Sequence, residues 1–207
     1  MVISIISMVS CVFITALLIV VLNPIAHKID LIDIPSDRKH HLHSVPLVGG
    51  ISMAVGFLLS IVLIPISLQP YRELLFGIGI LLIVGVLDDH LNLSAIWKFT
   101  AQILVGLFLT LAGHTVVTSI GNVIGSEVQN LGFLAVPFTI LGIVGVINAI
   151  NMIDGHDGIA GLMTGLTFFG LAIMCYLAGE LNYLRLLLII GSAITVFLIF
   201  NLPLLVS

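Results

Sequence analysis

Charge is the first thing this chain lacks. Asp, Glu, Lys and Arg make up 8% of its 207 residues, and 60% are hydrophobic. An average soluble domain carries about 25% charged residues. With a mean hydropathy of +1.33 the chain has too little polar surface to be soluble, so it reads as an integral membrane protein. Alternation of apolar and polar residues over ten-residue segments is also missing, which argues for a helical bundle over a barrel. Only two cysteines occur, Cys11 and Cys175, each inside an apolar run and neither with a partner at ligand spacing. They read as small hydrophobes rather than as a disulfide or metal pair. No Lys or Arg precedes Lys28, so the basic start of a secretory signal is absent, and the first apolar run is expected to stay as a span. With no internal repeat, linker or charge run to divide it, the chain is treated as one membrane domain, residues 1–207.

What is present is a series of apolar runs. About 20 apolar residues cross the hydrocarbon core at 1.5 Å each. Runs at 2–22, 47–66, 74–87, 95–111, 131–150, 159–178 and 183–206 give an all-α fold of about seven transmembrane helices. Asn23-Pro24 is expected to end the first. The third has only about 14 apolar residues, so its helix must continue through Asp88 and Asp89 if it crosses. Trp97 and Lys98 open the fourth as an interface anchor pair.

Cytoplasmic loops carry an excess of Lys and Arg. Placing the N-terminus outside puts Lys28, Arg38, Lys39 and Lys98 on the inner face, against Arg72 and Arg185 outside. The same choice puts all seven Asp inside and all three Glu outside. Three polar stretches then share the inner face: 33–50, 88–90 and 148–161.

The last of these interrupts the apolar sequence with Asn148, Asn151, Asp154, His156 and Asp157 among several glycines. An ionisable group at a helix centre in the membrane costs about 2.5–3.5 kcal/mol, so such groups mark candidate functional sites. Asn148, Asn151, Asp154 and Asp157 recur every third residue, which winds them around half of an ideal helix. They can line one wall only if the helix breaks, and Gly155 and Gly158 permit that. A simple Asp-Gly turn remains the alternative. His156 is a base, a phosphate donor or an idle loop residue.

Asp88 and Asp89 are adjacent carboxylates that a divalent cation would relieve of mutual repulsion. A solvated helix end would carry the same pair. Arg38, Lys39, His40, His41 and His43 form a basic loop suited to phosphate, or one serving only the inside-positive bias. Acids, amides and a basic loop at one membrane face suggest phosphoryl transfer between a soluble nucleotide and a lipid, because Mg²⁺ prefers carboxylate oxygens together with substrate phosphates.

At Asp33-Ile-Pro-Ser-Asp-Arg-Lys-His40, Pro46-Leu-Val-Gly-Gly50, Leu87-Asp-Asp89 and Asn148-Ala-Ile-Asn-Met-Ile-Asp-Gly-His-Asp-Gly158 the chain resembles the polyprenyl-phosphate N-acetylhexosamine-1-phosphate transferases, glycosyltransferase family 4. Order and spacing match over essentially the whole chain. Within the family it is most similar to the bacterial branch that uses undecaprenyl phosphate and UDP-GlcNAc. The resemblance implies transfer of GlcNAc-1-phosphate from UDP-GlcNAc to undecaprenyl phosphate with release of UMP, as the first membrane step of a cell-envelope polysaccharide. It implies Mg²⁺, with Mn²⁺ as a substitute, and a multi-pass enzyme of the bacterial inner membrane facing the cytoplasm. It carries over Asp88 and Asp89 as catalytic acids. Arg38, Lys39, His40, Asn148, Asn151 and His156 come over as substrate-binding residues, and Asp154 and Asp157 as metal ligands.

Family members continue past this chain's Asn201-Leu-Pro203 into a Gly-Asp-Ala-Gly-Ser type motif and a His-rich loop. Relative to them the chain reads as C-terminally truncated, and it is expected to be weakly active or inactive alone. The alternatives are an inactive remnant and, in a different class, a cation-coupled carrier using the intramembrane acids.

Overall fold

The computed structural model describes residues 2–28, 31–33, 45–63, 67–122, 125, 128–153 and 158–201. Among these are seven α-helices, one on each apolar run: α1 (Val2–Lys28), α2 (Gly49–Ile61), α3 (Arg72–Leu91), α4 (Ala95–Leu111), α5 (Ala135–Ile153), α6 (Ile159–Leu177) and α7 (Leu181–Asn201). Five apolar spans, Ile5–Lys28, Gln69–Leu91, Gly132–Ile153, Ile159–Leu177 and Leu181–Asn201, are long enough to cross a membrane. Gly49–Ile61 and Ala95–Leu111 are apolar but shorter. The chain is a multi-pass helical membrane protein.

Several elements differ from expectation. α1 does not stop at Asn23-Pro24 but runs through Pro24 to Lys28. A proline removes one backbone hydrogen bond, which membrane helices tolerate, and His27 and Lys28 in the last turn suit the negative end of the helix dipole. α2 ends at Ile61, short of the expected 66. A two-residue antiparallel ladder, β1 (Ile32–Asp33) with β2 (Val45–Pro46), adds to the all-α expectation. Backbone bonds Leu31 N to Ala26 O (3.0 Å) and Leu47 N to Leu31 O (3.1 Å) tie this ladder to α1, and Ala26, Leu31 and Val48 form a small apolar cluster beneath it.

The chain forms two compact units. The first, residues 1–67 and 150–207, contains α1, α2, α6, α7 and the ladder; α1 packs on α2 and α7, and α7 packs on α2 and α6. The second, residues 68–149, holds α3, α4 and the body of α5.

Burial is inverted relative to a soluble protein. Large side chains such as Phe133, Leu177 and Ile96 face outward, whereas Ser7, Thr15, Ser52 and Ser60 are fully buried. Between helices in lipid there is no hydrophobic drive to associate, so small residues that allow close approach do the packing. Ser7, Cys11 and Thr15 recur every four residues on α1, as Ser52, Gly56 and Ser60 do on α2. Thr15 lies directly against Gly56: a Cβ on that glycine would stand 3.2 Å from Thr15 Cβ and 3.3 Å from its backbone nitrogen. Neither Ser52 nor Ser60 hydroxyl finds a partner among the described residues, so these serines are used for their size. Cys11 is buried in this stripe, and neither cysteine is in a disulfide.

Gly56→Ala is expected to push α1 from α2 and cost about 1–3 kcal/mol, the usual range for overpacking a close contact. Gly50→Ala, with nothing within 4 Å of the new methyl, is expected to be neutral. Unfolding of the two variants in a detergent titration checks the contrast.

Candidate functional site

In the second unit the helix does what a short apolar run requires. α3 continues through Asp88 and Asp89 to Leu91 and stops where Asn92 adopts the left-handed conformation (φ 49°) and returns its N–H to Asp88 O at 2.8 Å. Ser94 opens α4, with Trp97 N bonded to Ser94 O at 3.1 Å. Because only residues 92–94 separate the two helices, Lys98, one turn into α4, reaches back to Asp88. Its Nζ lies 3.0 Å from Oδ2, and both side chains are about one-third exposed (37% and 27%). Asp89 and His90 are exposed on the last turn of α3.

Lys98 was expected as a membrane anchor beside Trp97. Trp97 is indeed exposed, but Lys98 turns to the acidic pair instead. A carboxylate is the one partner in reach that compensates an ammonium at the edge of hydrocarbon.

One further turn along α4, Gln102 is buried at 5% exposure and accepts a 2.6 Å hydrogen bond from Asn148 Nδ2. Asn148 Nδ2 also donates to Val144 O at 2.8 Å, one turn back on α5. Gly106 of α4 packs on Ile140 of α5, so the two helices touch at two levels. Lys98 and Gln102 thus lie on one α4 face, four residues apart, holding Asp88 of α3 and Asn148 of α5. The signal available for Gln102 was a carboxamide inside the fourth apolar run, four residues after a lysine. Asn151 is exposed on the last turn of α5.

In the first unit, α6 begins after Gly158, whose φ of 76° is left-handed and favours glycine. α5 ends at Ile153 and α6 begins at Ile159. Phe197 of α7 packs against two glycines: a Cβ on Gly49 would lie 2.5 Å from its ring, and one on Gly161 would lie 3.1 Å away. Gly49 starts α2 at the end of the first polar stretch, and Gly161 lies in the first turn of α6 at the end of the last. One aromatic ring therefore spaces both helix starts. The β1–β2 ladder pairs Asp33 with Val45, joining the two ends of the basic stretch.

Arg38, Lys39, His40, Asp154, His156 and Asp157 lie outside the described residues, so the expected sites at these positions are not described. Asp88, Asp89, Asn148 and Asn151 offer oxygen donors of the class that Mg²⁺ takes. No group of three or more His, Cys, Asp or Glu suited to a metal occurs among the described residues.

Residues 71–204, more than half of the chain, match the family described as Glycosyl transferase family 4. An undecaprenyl-phosphate alpha-N-acetylglucosaminyl 1-phosphate transferase of Haemophilus influenzae is 34% identical over 166 residues, 80% of this chain and 47% of the relative. The enzyme of the same name in Yersinia pestis is 31% identical over 162 residues, 78% of this chain and 44% of the relative. A protein of Bacillus subtilis named a probable undecaprenyl-phosphate N-acetylglucosaminyl 1-phosphate transferase is 31% identical over 198 residues, covering 91% of this chain and 54% of its own length. The chain spans about half the length of the curated relatives it matches. With its helices on the apolar runs, its acidic pair closing α3 and this match over most of its length, the chain belongs to glycosyl transferase family 4.

Proposed function

We propose that the chain carries the membrane part of a phosphoglycosyl transferase that moves GlcNAc-1-phosphate from UDP-GlcNAc to undecaprenyl phosphate. The observation that carries this reading is the acidic end of α3. Asp88 and Asp89 sit in the last turn of an apolar helix, with Lys98 beside them, in a chain of this family. A cation-coupled carrier holds its acids near the midplane of its spans, and the end of a helix is the wrong place for that.

The chemistry is an exchange of phosphoanhydride partners. A phosphate oxygen of the lipid attacks the sugar-bearing phosphorus of the nucleotide sugar, the bond to the UMP oxygen breaks, and the products are lipid pyrophosphoryl-GlcNAc and UMP. No net proton moves. What such a site must do is bring anions together and offset their charge. Asp88 and Asp89 border the lipid phosphate. Arg38, Lys39 and His40 supply positive charge to phosphate oxygens, and Asn148, Asn151 and His156 hold the nucleotide sugar. Asp154 and Asp157 would hold Mg²⁺, whose charge neutralises the pyrophosphate when bound. The N-terminus outside and the acids facing the cytoplasm of a bacterial inner membrane fit the Lys and Arg distribution and give the site access to a soluble nucleotide.

Membranes expressing the chain are expected to transfer radiolabelled GlcNAc-1-phosphate to undecaprenyl phosphate slowly and only with Mg²⁺. Asp89→Asn and Asp154→Asn are each expected to lower the rate by about 10²-fold or more. Transfer that ignores Mg²⁺ or survives both substitutions sinks the reading, and cation flux without transfer favours the carrier. The ion pair is tested separately with Asp88→Asn and Lys98→Met, alone and combined. Their coupling in detergent unfolding is expected at about 0.5 kcal/mol, vanishing in high salt, because the pair is partly solvated.

A further inference from the structure

The orientation of two carboxamides is decided by one carbonyl. Val144 O can only accept, so the Asn148 atom 2.8 Å from it is Nδ2, a donor. The same Nδ2 lies 2.6 Å from Gln102, which must then present Oε1. Both Nδ2 hydrogens of Asn148 are committed inside the protein. Its remaining polar atom is Oδ1, which accepts and cannot donate. Gln102 itself is 5% exposed, and a buried amide without a partner is costly, so the pair is held as a unit.

From this we infer that Gln102 is a positioning residue for the amide end of the site, with two effects. It fixes Asn148 as an acceptor, so this residue recognises a hydroxyl or amide N–H of the sugar and not a phosphate oxygen. It also anchors the end of α5. That end, the last turn and a half from Asn148 to Ile153, carries Asn151, the last described candidate residue before Gly158. Unwinding the turn back to Asn148 must break the bond to Gln102, so the bond adds its free energy to the cost of opening that turn. Interhelical hydrogen bonds in membranes average a contribution that corresponds to about threefold in an equilibrium constant. Gly106 also lies against Ile140, an α4–α5 contact that the amides do not make, so faster exchange confined to residues 148–153 separates loss of the anchor from loosening of the helix pair. The role assigned to the sugar rests on the transferase reading, whereas the anchoring of the turn does not.

The test uses the whole chain in lipid nanodiscs and reads amide hydrogen exchange by mass spectrometry. Gln102→Leu is expected to speed exchange about threefold in residues 148–153 and to leave residues 135–142 of α5 and all of α6 unchanged. Gln102→Glu, which keeps an oxygen acceptor facing Asn148 Nδ2, is expected to restore the native rate. Should Gln102→Leu fail to insert, Asn148→Leu removes the same bond from the other side and is read in its place. Unchanged exchange at 148–153 overturns the inference. So does an equal rise along the whole of α5, which would mean general loosening. The same nanodiscs are assayed for transfer: Gln102→Leu is expected to raise KM for UDP-GlcNAc about threefold at unchanged kcat. Absence of transfer by the native chain is the outcome expected of an inactive truncated remnant, while the exchange pattern still decides the anchoring of the turn.

Discussion

Scarcity of water governs this molecule. In hydrocarbon a polar group keeps its place only when the protein supplies its hydrogen bonds, and every backbone group must be paired inside its own segment. The buried polar side chains obey this in two ways. Some bond at short range, as Thr110 does to Gly106 O and Thr139 to Ala135 O. Others are small enough to be tolerated for packing alone, as Ser52 and Ser60 are. The Gln102–Asn148 pair and the Lys98–Asp88 pair are the cases where two helices meet the demand together. They also bring together polar side chains from different helices.

The same constraint explains why the polar stretches lie at helix ends. Irregular backbone is expensive at depth and cheap where the chain leaves the span. The chain places its breaks accordingly: Asn92 in a left-handed turn after the acidic pair, and Gly158 at the start of α6. Each break follows a group of chemically capable side chains by a few residues. The helices carry carboxylates and amides to their ends, and the glycine or asparagine frees the backbone to turn there.

Much of the fold was legible because hydrophobic run length and helix length are the same physical quantity in a bilayer. Seven runs became seven helices, and Ala95–Leu111 kept its boundaries to the residue. Failures came where local rules meet context. Pro24 looks like a stop, yet a membrane helix carries it. Lys98 looks like an anchor, because the turn that brings it back on Asp88 is only visible once Asn92 and Ser94 have shaped it. Gln102 carried little meaning alone, since an amide acquires a role only from the partner opposite it.

By itself the sequence determined the membrane character, the number of helices, the acidic and amide stretches and the family, all of which depend on composition and order along the chain. Tertiary structure decided the pairings: Phe197 against Gly49 and Gly161, Lys98 against Asp88, and Gln102 against Asn148. These are contacts between residues 10 to 148 positions apart. Which of the many compatible partners meets which depends on the angle and depth at which helices pack, and no local pattern encodes that.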